Sequence, residues 1–441
     1  MINMEEIIST LAEWNFWGKG LETGIERRHY TSKILSILEA RVNKIVTLFG
    51  VRRSGKSFIL RQIAKGLSEK YGERNVLYVN FEEPNIPKDL EKIYKAYMQI
   101  VKPSGKIFLL LDEIQEVGGW ERWVRSVHEK GKTRIIATGS SAKLMSEELA
   151  TLLAGRDIPI EVFPLSFREF LEFNKIEIEG LLEILSKKNE ILGNLRDYLK
   201  NGGFPEVVLE KEEFLRKEIV ERYVETILVK DVVKRFKVRE SEKLEFLANF
   251  YLTNFSSLIS FNKLSRFLKI PVKTVERFSK FLATSRIIFF ISRFSYSLRE
   301  KEASPRKVYV IDQGLPAFLS FSKNTGKFME NCVAVELLRR YSLENIFYFK
   351  TREGYEVDFL VKEGLRIKQL IQVSYANSFD EIDHREIRAL LHAKEVFKKD
   401  KPKLLVITWD YEDEKQVSWF GKRGEIRFIP LWKWLLTNSQ K

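Results

Sequence analysis

The sequence has a single cysteine, Cys332, among 441 residues. One thiol can neither close an intrachain disulfide nor build a cysteine zinc site, and it fits a reducing, cytosolic setting. Histidine is also scarce: His29, His128, His384 and His392 are scattered, and their spacing predicts no metal cluster. Long apolar runs are missing. Residues 287–291, Ile-Ile-Phe-Phe-Ile, have the length of a strand and fall far short of the ~20 apolar residues of a membrane span, so no membrane partner is expected. The start, Met1-Ile2-Asn3-Met4-Glu5-Glu6, lacks a basic stretch followed by an apolar core, and no signal peptide is expected. Acidic residues are in deficit: 61 Asp and Glu against 75 Lys and Arg give a net charge of +14 and a pI of about 9.4. Such a surplus attracts polyanions and puts nucleic acid among the candidate partners, beside the alternative of a charge-rich, thermophile-like surface.

What is present is a globular composition, 44% hydrophobic and 31% charged. The length exceeds one ordinary core, and two to four domains are expected. The 32 Phe fall in amphipathic patterns that build cores. Residues 1–40 read as a polar, helix-rich lead-in. Residues 41–165 alternate apolar strand-like runs with helical patterns, which predicts a doubly wound parallel α/β sheet. The pattern changes near Phe163-Pro164. Residues 166–237 are helical, broken at Gly202-Gly203-Phe204-Pro205. Residues 238–300 read as three short helices and a hairpin-like strand pair. Within them Phe261–Leu268, the turn Lys269-Ile270-Pro271 and a helix from Val272 to about Ser285 form a helix-turn-helix pattern. Glu300–Pro305 reads as a charged linker. In residues 301–441, strands are expected at 308–311, 346–349, 356–362, 368–373 and 403–408, with helices at 326–341 and 383–397.

Gly50-Val51-Arg52-Arg53-Ser54-Gly55-Lys56-Ser57 matches the phosphate-binding pattern G-x-x-x-x-G-K-[ST] in full. Glycines let the backbone wrap phosphate oxygens closely, and amides at the following helix start donate to the anion. Lys56 reaches the β and γ phosphates, and Ser57 offers its hydroxyl to Mg²⁺. The run Ile107-Phe108-Leu109-Leu110-Leu111-Asp112-Glu113 is a buried strand ending in two acids. Asp112 there holds Mg²⁺, and Glu113 is placed to polarise the attacking water or is an ordinary strand-end acid. Thr138-Gly139-Ser140-Ser141 ends the next strand; Ser140 or Ser141 contacts the γ-phosphate, caps a helix, or does both. Arg156 is a surface-pair arginine or one that reaches a neighbouring subunit's phosphate. ATP with Mg²⁺ is therefore the expected cofactor, and two acids at the strand end imply hydrolysis.

These features, with Asn15-Phe16-Trp17, Gly24-Ile25-Glu26-Arg27, Gly155-Arg156, Pro164-Leu165-Ser166-Phe167, Gly202-Gly203-Phe204-Pro205-Glu206, Val310-Ile311-Asp312-Gln313-Gly314-Leu315, Glu330-Asn331 and Glu356-Val357-Asp358-Phe359, resemble the archaeal-type AAA ATPases of the P-loop superfamily. The resemblance implies a P-loop core with a helical lid, then a winged helix and a domain similar to PD-(D/E)xK nucleases. It also implies that Ser140 or Ser141 is the first sensor and that Arg156 acts in trans, within a homo-oligomer.

A nuclease of that type needs two carboxylates for Mg²⁺ and a lysine to position water. Asp358 stands at the first carboxylate position and Glu330 adds a helix acid. The strand that should read acid-x-Lys reads Gln372-Val373-Ser374, so the expectation is a retained fold without cleavage; Lys368, on the same strand, is a possible migrated lysine. Lys273, Arg277 and Lys280 share part of one face of the second helix of the helix-turn-helix. They are the candidate contacts to double-stranded DNA, or a solvated surface of an interaction module. Three functions follow: a mechanochemical ATPase, with DNA as its candidate partner; an ATP-binding switch or scaffold with a protein partner; and, disfavoured by Gln372 and Ser374, an ATP-dependent nuclease.

Overall fold

The computed structural model describes residues 3–139, 153, 155–178, 180–319, 324–351 and 353–437. The chain divides into two units, Met1–Phe163 and Pro164–Lys441. In the first, β1 (Ile45–Phe49), β2 (Val76–Asn80), β3 (Ile107–Asp112), β4 (Thr133–Thr138) and β5 (Asp157–Glu161) form a sheet in the order β2-β3-β4-β1-β5, with every pair parallel. Its strands are almost continuously apolar because helices cover both faces. Alternation along β3 makes this concrete: Leu109 and Leu111 enter a cluster with Leu77, Val79, Trp120 and Ile135, while Phe108 and Leu110 enter another with Ile59, Ile63 and Ile136.

The lead-in of residues 1–40 is an integral part of this unit. Helix Met4–Ala12 is closed by an Asn3–Glu6 capping box and buries Ile7 and Leu11 in the first cluster; helix Arg28–Glu39 buries Ile34 and Leu38 in the second. Asn15 covers the open edge of β2: its carboxamide donates to the Tyr78 carbonyl at 2.9 Å and accepts the Tyr78 amide at 2.7 Å. The Trp17 indole donates to the Val76 carbonyl at 3.2 Å. An edge strand so paired is closed to other chains.

In the second unit a helical stretch leads into a mixed sheet of nine strands. They are β6 (Ser257–Ile259), β7 (Ile288–Arg293), β8 (Arg306–Val310), β9 (Ile346–Lys350), β10 (Glu356–Glu363), β11 (Arg366–Val373), β12 (Lys403–Thr408), β13 (Asp413–Trp419) and β14 (Lys422–Pro430), in the order β13-β14-β12-β11-β10-β9-β7-β8-β6. Two readings of the sequence change. The strand pair expected within residues 238–300 is no hairpin, because β6 and β7 each pair with β8, beyond residue 300. The sheet is therefore continuous through that expected boundary, and β7 also pairs with β9. The linker expected at Glu300–Pro305 is largely the helix Leu298–Ala303, whose first turn is capped by the Ser297 side chain accepting from the Glu300 amide.

The Gly202-Gly203 break is locked to residues 312–314. Buried Asp312 accepts the Gly203 amide at 2.6 Å and the Gly314 amide at 2.9 Å. Burial pushes its carboxyl up to about 6 despite those two donors. A Cβ on Gly202, where φ is +78°, would lie 1.8 Å from the Asp312 Oδ1, and one on Gly203 would lie 2.4 Å from the Leu165 carbonyl oxygen. Close backbone approach, and not flexibility, explains these two glycines.

Candidate phosphate-binding and hydrolysis site

The segment Gly50–Ser57 joins β1 to the helix Lys56–Tyr71 at the carboxyl edge of the parallel sheet. Such edges hold ligands because strand ends and helix starts open a crevice there. Gly50 has φ +146°, and a Cβ on it would meet the Val162 carbonyl oxygen at 2.1 Å. Gly55, at φ 94°, precedes the helix and has no side chain with which to cap it. Lys56 is buried, and its ammonium donates to the Gly50 carbonyl at 3.2 Å and the Val51 carbonyl at 3.1 Å. Val51 and Ser54 are buried, Arg53 is left-handed at φ 68°, and Arg52 pairs with Glu82 at 3.4 Å.

Asp112, at the end of β3, faces this loop. Burial raises its carboxyl above the usual range and the neighbouring Glu113 adds to that, while hydroxyl donors from Thr138, Tyr78 and Ser57 pull it down. Tyr78 on β2 donates to Oδ2 at 2.7 Å, and Thr138 at the end of β4 donates to Oδ1. Thr138 also accepts the Glu113 amide at 3.0 Å. Glu113 is left-handed at φ 53°, and its carboxylate accepts from the Gln115 carboxamide. Three strands and the loop thus converge on one carboxyl group.

These residues fit Mg²⁺ with a triphosphate. The Ser57 hydroxyl is among the groups that lower the Asp112 carboxyl, and the Lys56 ammonium lies within the loop against the Gly50 and Val51 carbonyls. Among the described residues no group of three or more His, Cys, Asp or Glu forms a metal cage.

A family described as an AAA domain matches residues 42–171, which contain the whole of this site. Two domains of unknown function, DUF8612 and DUF4143, match residues 192–325 and 325–432. An uncharacterized protein of Methanocaldococcus jannaschii is 37% identical over 406 residues, spanning 90% of this chain and 89% of its own length. The chain belongs to this family of AAA-domain proteins. A bacterial member, an uncharacterized protein of Haemophilus influenzae, is 30% identical over 89% of this chain and 96% of its own, so the family is wider than the archaea. Among solved structures, the Walker-type ATPase of Pyrococcus abyssi aligns at 16% identity and TM-score 0.40 over 67% of this chain and 95% of that one. The Orc1 protein of Aeropyrum pernix, solved in complex with DNA, aligns at 14% and 0.33 over 68% and 93%. The matched AAA domain carries a complete phosphate-binding loop on a parallel sheet.

Ser140 and Ser141 lie outside the described residues. Arg156 precedes β5 and pairs with Glu129 of its own chain at 3.3 Å. Tyr78 and Thr138 were not singled out in the sequence as partners of Asp112. Thr138 is legible in hindsight as the last hydroxyl of β4, whereas nothing local marks Tyr78.

In the second unit Glu330 and Asp358 stand around a residue the sequence did not disclose. The ammonium of Lys307, on β8, lies 3.1 Å from Glu330, 3.1 Å from Glu356 and 2.9 Å from Asp358. Burial alone would lower Lys307; the charge of Asp358 above all holds it well above the usual lysine range. Tyr309 donates to Glu330 at 2.7 Å. Gln372 accepts the Asp358 amide at 2.6 Å, and the Glu386 carboxyl is raised by burial and by Asp358 to about 8. Lys368 is not the migrated lysine: it is half exposed and pairs with Glu363 at 3.7 Å. Four residues along a strand carry it roughly 13 Å from Gln372.

Lys273, Arg277 and Lys280 are all exposed on the helix Val272–Thr284, whose other face buries Val275, Phe278, Ser279 and Leu282. No helix among the described residues is long and apolar enough to cross a membrane.

Proposed function

We propose that the chain is a Mg²⁺-dependent ATPase that uses hydrolysis to change the conformation of its second unit on duplex DNA. The observation that carries the reading is the buried Asp112 at the end of β3, held by Tyr78 and Thr138, beside the loop in which Lys56 lies against the Gly50 and Val51 carbonyls. Residues 50–57 wrap the phosphates, Lys56 holds the β and γ groups, and Ser57 and Asp112 hold the ion. An ion held by these residues would supply positive charge to offset that developing on the phosphoryl oxygens. Glu113 orients and deprotonates water, its backbone fixed by Thr138. Arg156 is the candidate to act in trans in a homo-oligomer, since its solvent-exposed pair with Glu129 is weak and easily left.

Support for DNA comes from the second unit. Helix Ser241–Thr253, β6, two helices, β7, the short helix Leu298–Ala303 and β8 follow one another, with β8 paired between β6 and β7, an order that supports a winged helix. The second of the two helices between β6 and β7 presents Lys273, Arg277 and Lys280 to solvent. The switch or scaffold reading is favoured by a different feature of the same region, the exposed aromatic pair Phe246 and Phe267 at 6.4 Å, a face suited to protein. Turnover measured with and without duplex DNA decides. Stimulation that falls with salt and is lost in Lys273→Ala/Arg277→Ala/Lys280→Ala supports the first reading; no stimulation favours the second.

The Lys307 cluster we read as structural. A lysine ammonium already sits among the three carboxylates, and Gln372 adds no charge. Supercoiled plasmid with Mg²⁺ or Mn²⁺ is expected to stay intact. Nicking that Asp358→Ala abolishes would show an active nuclease instead.

A further inference from the structure

A buried arginine outside the phosphate-binding motif grips that motif from behind. Arg27 is 2% exposed, and its Nη1 donates to the Ser54 carbonyl at 2.7 Å and to the Phe163 carbonyl at 3.0 Å. Its guanidinium carbon lies 4.7 Å from the centre of the Tyr30 ring, whose hydroxyl accepts the Phe163 amide at 3.1 Å. Its own amide donates to Gln62, on the helix that follows the loop, at 3.1 Å. Gln62 in turn holds the Thr23 and Ile25 carbonyls, each at 2.8 Å. The segment around Arg27 is thus tied both to the loop and to its helix.

The consequence follows from peptide geometry. In a planar trans peptide the carbonyl and the next amide point in opposite directions. A Ser54 carbonyl turned toward Arg27 therefore turns the Gly55 amide the other way, and Gly55 alone tolerates the φ of 94° that this loop requires. We infer that Arg27 is a positioning residue that holds the Ser54–Gly55 peptide with its amide turned to the phosphate chain, and so sets nucleotide affinity without touching the nucleotide. This rests on the reading that the loop binds a nucleoside triphosphate. The same guanidinium nitrogen reaches Phe163, and Val162 donates to the Phe49 carbonyl at 2.7 Å, so the loop and residues 162–163 are held as one piece.

The test is steady-state ATP hydrolysis by the full chain, with melting followed in parallel. Arg27→Ala is expected to raise KM for Mg-ATP roughly tenfold or more while kcat changes less than about threefold, since the lost bond is charge-assisted but remote from the reacting atoms. Arg27→Lys is expected to fall between, because one ammonium replaces a planar fork. Guanidinium at about 5 mM is expected to lower KM in Arg27→Ala and leave the wild type unchanged. Should Arg27→Ala fail to fold, the KM of Arg27→Lys carries the test. An unchanged KM in a folded variant, or a lower melting temperature with no KM shift and no guanidinium rescue, overturns the inference. A wild type that neither binds nor hydrolyses ATP overturns the underlying reading as well, and that outcome is visible before any Arg27 variant is made.

Discussion

Lys56→Ala is expected to abolish measurable ATP turnover, a loss on the order of 10²–10³-fold or more, because its ammonium is the charge assigned to the β and γ phosphates. The structure already holds it within the loop, at 3.1–3.2 Å from the Gly50 and Val51 carbonyls. Its burial means that no solvent cation replaces it easily. Alanine also leaves those carbonyls with one donor fewer, so some loss of stability is expected beside the loss of activity. The discriminating comparison is nucleotide affinity: the variant is expected to bind weakly, which turnover alone does not reveal. Normal turnover in a folded Lys56→Ala chain is incompatible with the assigned site.

The second large effect is expected at Glu113, with a different signature. Glu113→Gln keeps size and shape but loses the basic oxygen, so turnover is expected to fall roughly 10²-fold or more while nucleotide affinity is kept. The separation of binding from chemistry follows from position. Asp112 is fully enclosed by Tyr78, Thr138 and Ser57, whereas Glu113 is turned out of the strand by a left-handed backbone. Its carboxylate accepts from the Gln115 carboxamide, which a glutamine in its place accepts equally well through its carbonyl oxygen. Equal hydrolysis by Glu113→Gln and wild type removes the water-activating role and leaves Glu113 an ordinary strand-end acid.

The parts of this site that were legible in the sequence are those whose chemistry needs adjacent residues. A phosphate loop is eight consecutive positions because its backbone must wrap one anion, and Asp112 is readable because a buried strand rarely ends in charge. Tyr78, Thr138 and Arg27 meet their partners across 34, 26 and 27 residues, and no local pattern marks such pairs. Lys307 is the same case, 51 residues from Asp358, and its strand reads as any half-apolar run. Lys368 misled because it shares a strand with Gln372, yet strand rise carries it out of reach. The hairpin of β13 and β14 was unread because charged and polar side chains alternate along its exposed edge. The β6–β8 and β7–β8 pairs escaped because pairing partners are set by the whole sheet and not by spacing.

The most direct test is an equilibrium titration of the purified wild-type chain with ATP, with and without Mg²⁺, beside Lys56→Ala. Saturable, Mg²⁺-dependent binding at about one nucleotide per chain, weakened at least roughly tenfold in Lys56→Ala, is the predicted result. No binding of ATP or GTP in the presence of Mg²⁺, by protein that melts cooperatively, contradicts the account at its root.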